Sequence, residues 1–339
     1  MGGPAAVEEV RTAVEGSGLL ARGAGGHPIL AMLSGGRDSV CLLDVAVALL
    51  GPERVSAMHV NYGLREQSDA DERHCAEVCR LLGVELEIVR AARDESSPGM
   101  PGAAGNVQAW ARDVRYEAAM RIAEGSDALV ATGHTASDQV ETILYRLAAS
   151  PGRRALQGMV ASEGRLIRPL LSVTREQTAA YCEARGLAWR DDASNEDERY
   201  ARTRVRDGLL PALRAVHPAA ETNVLRTAAL LREETEMLDE LVTRELAGRA
   251  SIAIVRLGEL PAALARMVLV RLAEGAVGAY VPQAGDRVEE LLALGRRGGR
   301  AELHVGGRTG AVIEDGVLTM VKLPPRSERS SAEQPPHED

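Results

Sequence analysis

The sequence predicts an α/β protein, a doubly wound parallel sheet followed by a long linker helix and a small α+β domain. Three observations carry this. Short apolar runs alternate with amphipathic stretches through the first half of the chain, as strands joined by crossover helices do. A Gly-rich turn, Ser34-Gly35-Gly36-Arg37-Asp38-Ser39, joins the first apolar run to the first amphipathic one, the pattern of a buried strand feeding a helix through a tight turn. After Pro218 the alternation gives way to one long stretch rich in Leu, Glu and Arg, then to short strand-like segments.

Taken in order, residues 1–26 form an N-terminal lead-in, with a short helix and Gly-rich chain over 4–24. The sheet domain spans 27–216. His27 to Leu33 is its first strand and Val40 to Leu50 the helix after it. Val55 to Val60 is the second strand. Ser68 caps a helix that Gly83 closes after Leu82, because Ser satisfies orphan N–H groups and Gly accepts the left-handed end conformation. Val84 to Val89 is the third strand. Residues 93–105 read as loop, Asn106 to Ala123 as helix, Ala128 to Thr132 as the fourth strand and Ser137 to Ala148 as helix. Leu166 to Leu171 is a fifth strand. Thr174-Arg175-Glu176-Gln177 is a capping box, opening a helix that Gly186 ends. Residues 189–200 are a charged connector and Arg204 to Ala215 a helix. A helical linker occupies 217–250, its helix ending near Leu246, and it offers a surface for a homodimer. The small domain covers 251–324, with a strand from Ile252 to Leu257, helices near 261–274 and 284–295, and three short strands ending near Lys322. Residues 325–339 are Ser, Pro and charge, the composition of a disordered tail.

The chain has 339 residues, a net charge of −9 and no Phe. Its core must be aliphatic, and aromatic surfaces on which bases could stack are scarce. The acidic balance argues against a nucleic-acid binder that works with its whole surface and leaves room for a local basic patch. Almost every base is Arg, Lys322 being the one Lys; Arg forks grip phosphate and carboxylate in pairs, although Arg-biased codon usage accounts for the count equally well. Cys41, Cys75, Cys79 and Cys182 include no Cys-x-x-Cys pair, which argues against zinc, iron–sulfur and disulfide frameworks. There is no signal-peptide pattern and no apolar run of membrane-spanning length, so a cytoplasmic protein without a membrane partner is expected.

Ligands of doubly wound sheets sit at the carboxyl ends of the strands, and three stretches follow strands there: Ser34 to Ser39, His59 to Arg65, and Gly133 to Glu141. They should converge in one cleft. In the first, two glycines bring backbone N–H groups close to an anion, the helix N-terminus adds its positive end, and Ser34 and Ser39 add hydroxyls. Asp38 suits a phosphate site once Mg²⁺ bridges the two. The ending is not Gly-Lys-Ser/Thr, so this is not the Walker loop. In the third, Asp138, Glu141 and Thr142 come together at a helix start. Two jobs fit these carboxylates, holding Mg²⁺ or taking a proton from an attacking amine. His59 could contact nucleotide or simply pack. Arg112 and Arg115, beside Trp110 and Tyr116, form one basic cluster, and Arg199, Arg202, Arg204 and Arg206 another. Each alone reads as a solvated face; both beside a phosphate-binding site would suit an RNA loop.

The first string resembles the pyrophosphate loop of the ATP pyrophosphatases, the PP-loop superfamily with a Rossmann-like sheet, which cleave ATP between the α- and β-phosphates and pass AMP to a substrate oxygen. With the other motifs, residues 28–215 resemble one family within it, the tRNA(Ile)-lysidine synthases. His59-Val60-Asn61-Tyr62-Gly63-Leu64-Arg65 carries Tyr62 where that family has a second His. Gly133-His134-Thr135-Ala136-Ser137-Asp138-Gln139-Val140-Glu141-Thr142 carries Ser137 for an Asp, and the stretch Gly105 to Tyr116 carries Gln108 for a Glu. Arg168-Pro169-Leu170-Leu171, Asp192 to Asn195 and Tyr200 to Arg206 match further family stretches, the last with Thr203 for Asn. Ala148-Ala149 and Ala155 replace an Arg-Gly and a Gly in a loop that borders the family's substrate.

The resemblance implies a ligase that uses ATP and Mg²⁺. It would adenylate the C2 carbonyl oxygen of the wobble cytidine in the CAU anticodon of tRNA(Ile). The ε-amine of free L-lysine would then displace AMP. It implies ATP contacts from Met32, Leu33, Ser34, Gly35, Gly36, Arg37, Asp38, Ser39, Met58 and His59. Asp38, His134 and Asp138 would be catalytic, with Asp38 on Mg²⁺, Asp138 as the proton acceptor and His134 lining the reacting centre; Asp138 and Glu141 are further metal candidates. Arg112, Arg115, Arg202, Arg204 and Arg206 would hold the tRNA, and the small domain would recognise it elsewhere. Rival expectations are a tRNA 2-thiolase, whose comparable members use Cys-x-x-Cys pairs; an NAD- or GMP-synthetase-like unit; and a non-catalytic RNA-binding protein on the same fold.

Overall fold

The computed structural model describes residues 3–21, 26–63, 67–91, 107–150, 152–190 and 201–324, apart from the side chains at 108, 201 and 202. The loop expected over 93–105, most of the connector over 189–200 and the tail over 325–339 lie outside the described residues. The chain divides into two compact units, Met1–Ala229 and Leu230–Asp339.

In the first unit the elements run α1 (Pro4–Gly16), β1 (Ile29–Met32), α2 (Arg37–Leu50), β2 (Val55–Asn61), α3 (Ser68–Leu82), β3 (Glu85–Arg90), α4 (Val107–Ser126), β4 (Leu129–Ala131) and α5 (Ala136–Ala149). They continue as α6 (Arg153–Leu156), β5 (Ser162–Glu163), β6 (Leu166–Ile167), α7 (Arg175–Arg185), α8 (Ala201–Arg204), a π segment Val205–Leu209 and α9 (Leu210–Val216). Six strands form one sheet in the order β3-β2-β1-β4-β6-β5. The pairs β1–β2, β1–β4, β2–β3 and β4–β6 are parallel, and β5 joins antiparallel to β6. The chain builds outward from β1 to β3 on one side, then returns to lay β4 on the other. That reversal makes the carboxyl ends of β1 and β4 the switch point where such sheets bind ligands.

Period-two alternation assigns the faces. Ile29, Ala31 and Leu33 enter a core with α1, α2 and α7, while Leu30 and Met32 enter a second core with α4. Both faces are therefore covered, as a parallel sheet requires. The N-terminal segment is more than a lead-in, because Val10 and Val14 of α1 are buried in the first of these cores. Several boundaries differ from the expected ones. The expected fifth strand shrinks to Leu166–Ile167, since the chain turns at Arg168. Gln67, not Ser68, precedes α3 as its cap residue, while Gly83 closes that helix at φ 68°. The helix expected from Arg204 starts at Ala201 and contains the π segment.

The second unit begins within α10 (Ala220–Leu246) and continues through β7 (Ser251–Ala253), α11 (Ile254–Glu259), α12 (Ala262–Val277), α13 (Val288–Arg297), β8 (Ala301–Gly306), β9 (Thr309–Glu314) and β10 (Val317–Lys322). Its four strands make an antiparallel sheet in the order β7-β10-β9-β8 over a core containing Leu257, Leu269, Leu291 and Leu318. The strand expected from Ile252 to Leu257 stops at Ala253. Ile254 and Leu257 are both buried three positions apart, a helical spacing.

Candidate active site

A cavity of about 600 Å³ opens at the carboxyl ends of β1, β2 and β4. Met32, Leu33, Ser34, Gly36, Arg37, Asp38 and Ser39 line it from β1 and α2, Met58 and His59 from β2, and Gly133 and His134 from the turn after β4. The three stretches do converge. Arg115, Arg175, Arg190 and Arg206 add cations to the wall, with Asn61, Tyr62, Gln67, Ser68 and Asp71 along one edge.

The turn after β1 is built for an anion. Gly36 precedes α2 with no side-chain cap, so no capping side chain competes with an anion for the N–H groups that open the helix. Gly35 sits at φ 83°, in the left-handed region, and a Cβ there would lie 3.2 Å from both Cys75 Sγ and His74. The hydroxyls are folded onto the turn itself. Ser39 Oγ donates to Gly36 O at 2.8 Å, Ser34 Oγ lies 3.1 Å from Ser39 Oγ, and Gly36 N–H donates to Ser34 Oγ at 3.3 Å. Gly133 allows the turn after β4 to meet this one. Its Cβ position is 3.0 Å from the backbone of Asp38.

Three carboxylates meet one guanidinium. Arg175 donates to Asp138 Oδ1 and to Glu141 Oε1, each at 2.7 Å, and lies 3.9 Å from Asp38 Oδ2. Asp138 is also the N3 residue of a capping box: its Oδ2 accepts from the N–H and the hydroxyl of Thr135, both at 2.8 Å. Burial pushes its pKa up, but Arg175 and the Thr135 donors outweigh that and hold it below the usual carboxylate value. Glu141 is fully buried and accepts from Arg206 Nε at 3.0 Å as well, while its Oε2 has no partner. Asp38 differs. Burial raises its pKa despite the Thr178 hydroxyl at 2.5 Å and Arg37 Nε at 3.3 Å.

These contacts redistribute the expected roles. Asp138 has both oxygens engaged and a depressed pKa, which makes it a poor proton acceptor. Glu141 does not line the cavity and serves as an internal counter-charge to Arg175 and Arg206. Neither carboxylate fits a Mg²⁺ ion in this arrangement, because a guanidinium already sits between them. Asp38 does fit, since it faces the cavity beside the anion-binding turn and Mg²⁺ commonly takes one carboxylate together with substrate phosphates. His59 is buried and donates Nδ1–H to Leu33 O at 2.9 Å, tying β2 to the end of β1. His134 faces the cavity with Nδ1 2.8 Å from the Thr132 hydroxyl. Arg112 is exposed and lies 4.6 Å over the Tyr116 ring, whereas Arg115, 5.8 Å from that ring, lines the cavity. Arg206 turns inward to Glu141, Arg204 is exposed, and the Arg202 side chain lies outside the described residues.

Three contributors escaped sequence reasoning. Arg175 stood out only as part of a capping box. Thr178 is one turn further along α7. Arg190 falls in the charged connector, where its N–H donates to Gly35 O at 3.0 Å and its Nε to Asp71 Oδ1 at 2.6 Å. The one signal for the first two was their spacing on a capped helix, which says nothing of the sheet edge they face. All four cysteines are free and buried, and the described residues contain no group of three or more His, Cys, Asp or Glu side chains arranged to hold a metal. No described helix is long and apolar enough to cross a membrane.

Residues 12–213 match the model of a PP-loop domain family. The chain is 39% identical over 220 residues to the tRNA(Ile)-lysidine synthase of Pseudomonas fluorescens, an alignment covering 63% of this chain and 48% of that one. It is 40% identical over 231 residues to the tRNA(Ile)-lysidine synthase of Salinispora tropica, covering 65% and 67%. With that of Dehalococcoides mccartyi the identity is 33% over 309 residues, covering 84% and 64%. The matched part amounts to about half the length of several of these curated relatives. Among solved structures, the U34-tRNA thiolase NcsA from Methanococcus maripaludis with its [4Fe-4S] cluster superposes with a TM-score of 0.56 at 18% identity, over 67% of this chain and 79% of that one. That likeness shows a shared fold.

Proposed function

The chain belongs to the PP-loop domain family and, within it, to the tRNA(Ile)-lysidine synthases, and from that premise we propose that it makes lysidine. In this reading ATP adenylates the C2 carbonyl oxygen of the wobble cytidine in the CAU anticodon of tRNA(Ile), releasing pyrophosphate. The ε-amine of L-lysine then attacks C2, the C–O bond breaks, and AMP leaves. The modified base pairs with A in place of G, and the tRNA takes isoleucine in place of methionine.

The observation that carries this reading is the turn Ser34 to Ser39 at the switch point of the sheet, facing a cavity large enough for a nucleotide and walled by arginines. The N–H groups at the start of α2 and the Ser34 and Ser39 hydroxyls, turned outward from their mutual bonds, would hold the leaving pyrophosphate. Mg²⁺ would be held by Asp38 and would neutralise charge on the phosphates. Met32, Leu33, Met58 and His59 would form the nucleotide wall. Asp138 and Glu141 would position Arg175 at the cavity edge. Arg112, Arg115 and Arg204 would meet the anticodon arm, and the second unit would recognise the tRNA elsewhere. A homodimer and a cytoplasmic location are consistent with this role.

The test is incorporation of radiolabelled lysine into transcripts, with ATP and Mg²⁺, comparing the CAU-anticodon isoleucine tRNA with the methionine tRNA. ATP-dependent label in the first alone is expected. Absence of label from both, with ATP still converted to AMP and pyrophosphate, would sink the lysine assignment and keep the adenylating fold.

A further inference from the structure

Thr132 follows β4 directly and is buried. Its backbone N–H donates to Ile167 O at 3.0 Å. Its hydroxyl has one hydrogen-bond partner among the described residues, His134 Nδ1 at 2.8 Å. A hydroxyl carries one proton and two lone pairs, and a neutral imidazole carries one N–H and one bare nitrogen. Two arrangements satisfy the contact. If His134 held its proton on Nδ1, that N–H would occupy the Thr132 oxygen, and the hydroxyl proton, at the cavity wall, would have no acceptor among the described residues. If the hydroxyl donates, Nδ1 offers its lone pair and the hydroxyl proton has its acceptor within the protein. Unmade buried donors are rare because they forfeit hydration without replacement.

We propose that Thr132 is a positioning residue that fixes His134 as its Nε2–H tautomer, so that the imidazole meets the cavity as a hydrogen-bond donor to an anionic oxygen and not as a base. The surroundings suit a donor. His134 shares the wall with Ser34, Gly36 and Arg37, donor-bearing groups of the turn that starts α2. The neighbouring hydroxyl, that of Thr135, is committed to Asp138 and cannot take over the task. In the proposed reaction the anionic oxygen is one of the phosphate oxygens of ATP, which gain or redistribute charge as the α–β bond breaks.

The experiment uses the full chain labelled with ¹⁵N-histidine. The chain has 7 His, so the resonances of His134 are identified by their loss in His134→Gln. Long-range ¹H–¹⁵N correlation should show an unprotonated, pyridine-type Nδ1 and a protonated, pyrrole-type Nε2. Thr132→Val keeps the shape and the strand position while removing the hydroxyl, and should turn the single tautomer into a mixture. Thr132→Ser should restore it. A kinetic arm rests on the proposed function: in tRNA-dependent ATP–pyrophosphate exchange, the Val variant should lose about tenfold in kcat with KM for ATP changed by less than about twofold, and Ser should recover most of the loss. A wild-type His134 protonated on Nδ1 overturns the proposal. So does a Val variant with unchanged tautomer and unchanged exchange. The expected tautomers in a chain that shows no exchange with any tRNA would uphold the role of Thr132 and remove the proposed function instead.

Discussion

At the residue scale, environment and not residue type separates the acids of the site. Asp38 and Asp138 are the same side chain beside the same guanidinium, that of Arg175, yet burial raises the pKa of one while Arg175 and Thr135 lower that of the other. The sign has a consequence for stability. A carboxylate with a depressed folded pKa contributes stability that is fully present above the ordinary Asp range and is lost as pH falls through the folded value. Urea unfolding between neutral pH and about pH 3 should therefore cost the wild type more than Asp138→Asn, which has no such proton to take up; parallel losses would show that the ion pair is not felt. Arg190 has its Nε on Asp71 and lines the cavity. If its fork meets phosphate, Arg190→Met should raise KM for ATP by about tenfold, with Arg190→Lys recovering part of the loss. An unchanged KM in the Met variant would reduce Arg190 to a tether for Gly35.

At the element scale, the site is a junction of turns after two neighbouring strands, tightened by α7 from outside. The turn after β4 can approach the start of α2 only because position 133 has no side chain: a Cβ would meet Asp38 and Ser39 backbone atoms at 3.0–3.1 Å, and backbone at a helix start cannot yield as a flexible side chain can. Gly133→Ala should lower the unfolding midpoint and weaken ATP binding together, read by thermal melts and nucleotide titration. A variant with native stability and native ATP affinity would show that the contact carries no weight. The capping boxes of α5 and α7 were legible at different levels. Thr174 to Gln177 is the standard Thr-x-x-Gln form. Thr135 to Asp138 uses a shorter acid at N3, and from sequence that acid looked free for chemistry. α7 carries Arg175 and Thr178 to the site across 140 residues of chain separating Thr178 from Asp38, a contact that no local pattern encodes.

At the scale of the molecule, the residues lining the cavity run from Met32 to Asp207, all within the unit that ends at Ala229. A chain ending at Ala229 should therefore bind ATP with an affinity within about threefold of the full chain, because none of those lining groups is removed. Its loss of discrimination between isoleucine and methionine tRNAs would place recognition in residues 230–339. If instead nucleotide binding vanished in a truncated chain that still melts cooperatively, the cavity would not be self-contained.

The sequence alone determined the alternation of strands and helices, the switch-point turn and the convergence of three motifs, because strand ends in a parallel sheet are forced to one edge whatever lies between them. It also determined the family, whose motifs are contiguous strings. Only the tertiary structure decided which polar groups are already spent. Arg175 pairs with Asp138 and Glu141 from a helix distant in sequence, Arg206 turns inward when its neighbours on the chain suggested an RNA-facing cluster, and the Thr132 hydroxyl has His134 as its one partner among the described residues. Hydrogen bonds and ion pairs between such groups depend on distances of a few ångströms and on what burial leaves unhydrated, and residue order does not fix either.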